Sequence, residues 1–388
     1  MNHSNPTDSL PIPNKYILRN LRFLILLISI GFYSCSKEYS LEGALAVPPV
    51  EIKAQSSAVD VYLAGITGDG IHPYATYWKN GKAVPLTDGS NYAEASSIMV
   101  SDTNVYVAGI EYNGSYYVAK YWKNGKAVAL TGGESPGIAH AITVSGNDVY
   151  VAGYEVDNNS VPVIPGGTST VTAKYWKNGT AVSLTGGSDA FAIAVVGNDV
   201  YVAGEGGGGL SSVAKYWKNG VPFSLTDGSS EAHAYSIAVS GKDIYVAGSE
   251  MTGMNGNLVA KYWKNGTAFA LTDGSNFARA NAITVSGNDV YVAGGEFKDN
   301  NYFVAKYWKN GQAVPITDSS GYSLAFSIAV HDIDIYVAGQ KLKGPALLGN
   351  PVPLYWKNGN EVILDDPSGT GGWTNSVFIS NNPSDANH

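Results

Sequence analysis

Residues 118–133 read VAKYWKNGKAVALTGG, from Val118 to Gly133. Their centre, YWKNG, occurs seven times, beginning at Tyr77, Tyr121, Tyr175, Tyr216, Tyr262, Tyr307 and Tyr355. Seven of the chain's eight tryptophans sit inside it. Such a phrase is either a sevenfold binding device or a building unit. Its turn says what it builds. Asn-Gly, as at Asn124-Gly125, tolerates positive φ at both central positions of a two-residue turn and is the strongest short hairpin signal. The β-branched and aromatic pieces on either side, AKYW and KAVAL, then read as two antiparallel strands.

Outward from that hairpin the chain aligns to itself with a spacing near 44 residues, in the range of propellers and solenoids. Each unit holds four strand-like pieces. Piece a is SSIMV at Ser96, HAITV at His140 or YSIAV at Tyr235. Piece b is VYLAG at Val61, VYVAG at Val105, Val149, Val200 and Val290, and IYVAG at Ile244 and Ile335. Piece c is AKYW, and piece d is KAVPL, KAVAL or AVSL. A tight SGND-type turn joins a to b. No helical period appears.

Strand order follows from residue size. Piece a mixes Ala and Ser with Val and Ile, which suits a crowded axis. Piece d admits Pro85 and Pro315, and proline belongs on an edge strand. We therefore expect a innermost and d outermost, with b and c buried on both faces, as in stacked blades. The first unit begins at b, with Val59, and lacks a; the last ends in NSVFIS, Asn375 to Ser380, an a without b. The sequence thus predicts an all-β fold: a single seven-bladed β-propeller of four-stranded antiparallel blades. Three N-terminal strands plus one C-terminal, innermost strand close the ring and remove the exposed sheet edges.

A hydrophobic strand, then YVAG, then a Tyr-Trp strand and a short outer strand resembles the kelch unit of β-propellers. It also resembles the Trp-x-Asn-Gly repeats of bacterial extracellular proteins. The likeness covers Val59 to Ser380. It departs from kelch in having one glycine after strand b where kelch has two, and in placing Trp on strand c. The resemblance implies a fold and leaves function open.

The N-terminus reads as a separate device. Lys15, Arg19 and Arg22 precede FLILLISIGFY, Phe23 to Tyr33, which is shorter than the about 20 apolar residues a span needs. Residues 1–34 are expected to be a signal peptide, 35–57 a tether, 58–381 the propeller and 382–388 a tail. Cys35, the chain's single cysteine, follows the small residue Ser34. This arrangement resembles a bacterial lipoprotein signal, which implies lipid attachment at Cys35. It implies export and anchoring in a bacterial envelope, facing the periplasm or the cell surface, such as on the outer membrane. Net charge is −8, and near −10 without residues 1–34, so no basic stripe invites nucleic acid.

The aromatic Tyr and Trp of YWKNG read as filler between blades. Difference between units marks function better, because variable loops on a rigid scaffold carry it. Just before piece a, a recurring Ala is flanked by two variable positions. The outer one reads Glu94, Ile138, Asp189, His233, Arg279, Leu324 and Trp373; the inner reads Ser96, His140, Phe191, Tyr235, Asn281, Phe326 and Asn375. These residues form the candidate ligand-binding rim, with drift at solvated positions as the alternative. No catalytic set, metal site or cofactor motif is expected. GDG at Gly68 and DNN at Asp157 carry oxygen donors that suit calcium, but neither is a complete site and each reads first as a turn. Glu94 and Asp189 can in principle face each other as acid and base. The leading expectation is a monomeric envelope protein that binds a glycan or a protein by its rim. The others are a glycan hydrolase or lyase with a funnel active site, and a structural or adhesive module. The membrane is met through the lipid anchor only.

Overall fold

In the computed structural model, residues 59–68, 73–157, 170–207, 211–251, 256–298, 302–317, 321–342 and 350–381 are described. The signal run, Cys35, the tether and the tail lie outside them, as do Asp69, Gly70, Asn158 and Asn159 of the two calcium candidates.

The YWKNG unit folds as its turn dictates. In all seven copies Asn has φ of 50–52° and Gly has φ of 80–84°, the left-handed pair that the hairpin needs. The Asn does more than turn. In the first blade the backbone N–H of Asn80 donates to the Val61 carbonyl of strand b, and its Oδ1 accepts from the Val61 N–H at 2.9 Å. Its Nδ2 donates to Asp60 at 2.7 Å. Lys79 reaches the other oxygen of Asp60 at 2.9 Å and lies over the Tyr62 ring, 5.3 Å from its centre. The same station recurs around the ring, with one exception. The second blade has Asn104 in place of the Asp, and there Lys123 keeps only the Tyr106 ring.

Among the described residues there are 28 strands and no helix, arranged as seven antiparallel sheets of four. Blade two is β4 (Ala93–Ser101), β5 (Asn104–Tyr112), β6 (Tyr117–Lys123) and β7 (Lys126–Ala129), in pieces a, b, c and d. Five further blades repeat that order. The remaining one runs β28-β1-β2-β3, from β28 (Gly372–Asn381), β1 (Val59–Thr67), β2 (Tyr74–Lys79) and β3 (Lys82–Pro85). Val59 pairs with Asn381 and Thr67 with Gly372. The expected closure, three strands from one end and the innermost from the other, is what is observed.

The core lies between the blades. Seven apolar clusters each join two consecutive sheets, and each contains one YWKNG tryptophan from the later blade. All seven tryptophans are at most 1% exposed. Each opposes Ala, Leu or Ile and a strand-b Tyr of the preceding blade, as Trp122 does Tyr62, Ala64 and Ala75. A buried aromatic removes about 150–250 Å² from water, so these seven side chains dominate the inter-blade energy. The cluster of Val61, Leu63, Trp78, Tyr336, Ala338 and Leu364 joins the last blade to the first. YWKNG is therefore a building unit: the aromatic pair packs, Asn-Gly turns, and Lys-Asn staples strand c to strand b.

Candidate functional site: a ring of bulges around the axis

The innermost strands begin three residues earlier than their sequence pattern suggests. The variable positions expected just before piece a lie on it, at its first turn of pleat, as in β4 from Ala93. They also fall at a break in the ladder. Ala95 pairs with Gly109 and Ser97 with Ala108, leaving Ser96 with no partner. The same skip occurs at His140, Phe191, Tyr235, Asn281, Phe326 and Asn375. In all seven blades the inner variable residue is the extra residue of a β-bulge, a device that bends a strand and re-aims a side chain.

The glycine of each VYVAG is the other half of this device. The bulge drives the carbonyl of the outer variable residue onto strand b. A Cβ on Gly109 would lie 1.9 Å from the Glu94 oxygen, and one on Gly248 would lie 1.9 Å from that of His233. The flanking Ala is fully buried in six blades. In the seventh, Thr374 replaces it and satisfies its hydroxyl by donating to the Leu354 carbonyl at 2.7 Å and accepting from the Gly339 N–H at 2.9 Å.

The side chains on these bulges meet across blades. His140, Phe191 and Tyr235 form an aromatic arc with ring centres 5.3 and 5.5 Å apart. Asn375 donates to Glu94 at 2.9 Å and to the Ala95 carbonyl at 3.1 Å, and Asn281 donates to the Ala325 carbonyl at 2.7 Å. The two Asn therefore satisfy carbonyls beside the next blade's bulge and act as cross-links. Of the fourteen variable residues, His233 and Leu324 are buried and the rest are half-buried.

Most of the ring's charged groups meet across neighbouring blades. Burial in the ring raises the pKa of Glu94, against hydrogen bonds from Tyr92 and Asn375 and the nearby His140. The carboxyl keeps a partly open face but is walled by three blades. His140 lies 3.1 Å from Asp189, off the line of a good hydrogen bond, with Nε2 otherwise unmatched. Burial disfavours its cation, but Asp189 and Glu94 outweigh this and raise its pKa. His233 is held between Glu205 on Nδ1 and Glu231 on Nε2, the latter at 3.1 Å, and stacks on Tyr235. Burial again opposes the cation, and the two carboxylates lift His233 to about 10. Arg279 lies over the Tyr235 and Phe277 rings, 5.9 and 5.4 Å from their centres.

Glu205 and Glu231 were not among the sequence candidates. Glu205 is on β13 (Asp199–Gly206), in a stretch that reads as loop. Its signal is a break in the repeat: the residue after the VYVAG glycine is Ile66, Ile110, Tyr154, Ser249, Gly295 or Gln340 elsewhere. Phe326, on β24 (Ser323–His331), stands three blades from His140, and Trp373, on β28, stands two blades from it on the other side of Glu94. Among the described residues no group of three or more His, Cys, Asp or Glu has the geometry to hold a metal ion.

No protein-family profile matches the sequence, and no curated protein does. Among solved structures, the chain is similar to the acylaminoacyl peptidase of Pyrococcus horikoshii, with a TM-score of 0.47 and 12% identity over 82% of this chain and 53% of that one. It is also similar to the hydrazine synthase of Kuenenia stuttgartiensis, with a TM-score of 0.44 and 11% identity over 87% of this chain and 50% of that one. The chain spans about half the length of each. Neither likeness bears on what this chain binds.

Proposed function

We propose that this protein is an envelope-anchored binding protein that grips a glycan or a protein through the ring of bulged side chains around the propeller axis. One observation carries the reading. Every blade builds the same bulge with the same Gly and a buried Ala or Thr, yet the two side chains displayed there differ from blade to blade. The fold thus holds one backbone constant and varies only what it presents, which is the division of labour of a recognition surface. The ring includes Tyr235, Arg279 and Trp373, residue types enriched at binding hot spots. The kelch-like character of the repeat, export, lipid attachment at Cys35 and a monomeric state belong to the same proposal.

The test is capture from an array of glycans and extracellular proteins by the full-length protein and by the variant with Phe191→Ala and Trp373→Ala. The reading expects a ligand for the wild type, loss of capture in the variant, and a melting temperature within a few degrees of wild type. Retained capture by a folded variant refutes it.

A second reading has its own observation. Glu94 has a raised pKa and lies close to His140, itself 3.1 Å from Asp189. A carboxyl whose pKa burial raises, sharing a ring with a second carboxyl, is a feature of a glycan hydrolase or lyase. Glu94→Gln separates the two readings: a binding protein keeps its ligand and shows no turnover in either form, whereas an enzyme loses turnover while still binding.

A further inference from the structure

The charges of the ring are unevenly matched. Glu94 receives hydrogen bonds from Asn375 and Tyr92, at 2.9 and 3.3 Å. Asp189 has His140 beside it, and Glu205 and Glu231 share His233. Arg279 has no such partner. Its Nε–H is buried without an acceptor, and no ion pair or hydrogen bond engages it among the described residues. The guanidinium is held instead by the faces of Tyr235 and Phe277. These fix its plane without using its donors.

A second donor belongs to the same aromatic cluster. Tyr322, just before the next blade's inner strand, packs edge-on against Phe303 at 6.4 Å, and Phe303 packs against Phe277, the ring under the guanidinium, at 5.7 Å. The Tyr322 hydroxyl oxygen accepts from Gln340 Nε2 at 2.9 Å, so its own O–H remains to be donated. A guanidinium fork held on aromatic faces, with a phenolic O–H in the same cluster, matches a carboxylate, which accepts bidentately. Phe326, half-buried on the following blade's bulge, adds aromatic surface on that side. Such surface suits the apolar face of a pyranose.

Resting on the reading of the ring as the binding surface, we propose that Arg279 and Tyr322 form its carboxylate subsite and that the ligand is a uronic-acid glycan. The sugar's carboxylate sits on the guanidinium and the Tyr322 hydroxyl, and its ring lies against Phe326. The ring's own carboxylates, each already holding a donor, do not compete for Arg279.

Calorimetric titration of the full-length protein tests this. The probes are oligosaccharides of galacturonate, glucuronate and mannuronate, each beside the same oligosaccharide with its carboxyl groups reduced to alcohols. At least one acidic series should bind, and its reduced form should bind about 30-fold more weakly, the equivalent of about 2 kcal/mol for a charge-assisted hydrogen-bond pair. Arg279→Gln should lose the same factor for the acidic form and little for the reduced one, and Arg279→Lys should recover only part of it. Tyr322→Phe should weaken the acidic form alone. Equal binding of acidic and reduced forms, with Phe191→Ala still abolishing it, overturns the carboxylate subsite and leaves the ring reading standing. Binding of peptides with a free C-terminal carboxylate but of no sugar overturns the ligand class. Failure of every probe overturns this proposal, while capture lost in the Phe191 and Trp373 variant with some other ligand still supports the ring.

Discussion

Gly294→Ala strikes the coupling between strand b and the bulge. The new Cβ would sit 1.9 Å from the Arg279 carbonyl oxygen and 2.9 Å from its carbon, with the Ala280 Cα at 3.2 Å. All three are backbone atoms, so no side-chain rotation relieves the clash. A carbon in ordinary contact stands about 3.5 Å away, so strand and bulge must part by about 1.5 Å. The Ala280–Gly294 pairing then opens. Overpacking costs about 1–3 kcal/mol and a lost backbone hydrogen bond about 1 kcal/mol. The smaller entropy of an unfolded Ala returns about 0.4–1 kcal/mol. The net loss is about 2–3 kcal/mol. Urea unfolding followed by tryptophan fluorescence should show the midpoint falling at constant slope. Gly146→Ala is the comparison: its φ is +57° and nothing lies within 4 Å of the added carbon. It should cost only the left-handed penalty of about 1–2 kcal/mol. Because the displaced carbonyl belongs to Arg279, Gly294→Ala should weaken ligand capture too, and Gly146→Ala should not. If Gly294→Ala proves as stable as wild type, the bulge does not press on strand b and the account of the VYVAG glycine is wrong.

Trp263→Ala, in the cluster with Tyr201 and Ala234, should cost about 3–5 kcal/mol by urea melts while the folded fraction still captures ligand. Deleting residues 372–388 removes β28 and strips one edge of β1; circular dichroism should show a lower melting temperature for the whole ring, and an unchanged one refutes closure. The pKa of His233 is raised on folding, so its contribution is complete below its unfolded value of 6.5 and fades as pH climbs toward about 10. The stability gap between wild type and His233→Gln should therefore shrink over that window, and a gap that widens there refutes the ion-pair assignment. Cys35→Ser should move the protein from the membrane fraction to the soluble one in high salt, since no other anchor is proposed.

The architecture was legible because repetition averages away local ambiguity. Seven Asn-Gly turns, seven VYVAG-type strands and the piece-d prolines Pro85 and Pro315 leave little choice of strand order. The unmatched ends at Val59 and Asn375 then dictate closure. The bulge was less legible. Nothing in SSIMV or HAITV marks Ser96 or His140 as unpaired; the only trace is Gly109 or Gly153 on the partner strand, which reads equally well as a strand end. The roles of individual ring residues were least legible, because they depend on the neighbouring blade. His233 is buried by Glu205, 28 residues earlier in the chain. Asn281 and Asn375 look like candidate ligand contacts in the sequence, but in the fold they serve the next blade's carbonyls.

The pairing of Val59 with Asn381 places a demand on the order of events during synthesis. The three strands of the first blade leave the ribosome early, but the edge of β1 has no mate until β28 emerges. At about 5–20 residues per second, some 320 residues of delay amount to roughly 15–60 seconds. Throughout that interval each newly made inner strand, from β4 onward, carries the same a-type pattern as β28 and is a rival for the waiting edge. A rival that docks there would leave a blade short and a ring unable to close. The distinct side chains on the seven bulges also differ in the neighbours they meet: Asn375 donates to the Glu94 carboxyl and the Ala95 carbonyl in the second blade, where no other blade offers a carboxyl at that place to an Asn. Residues that differ where the repeat is otherwise uniform thus let a chain of near-identical blades recognise which strand comes last.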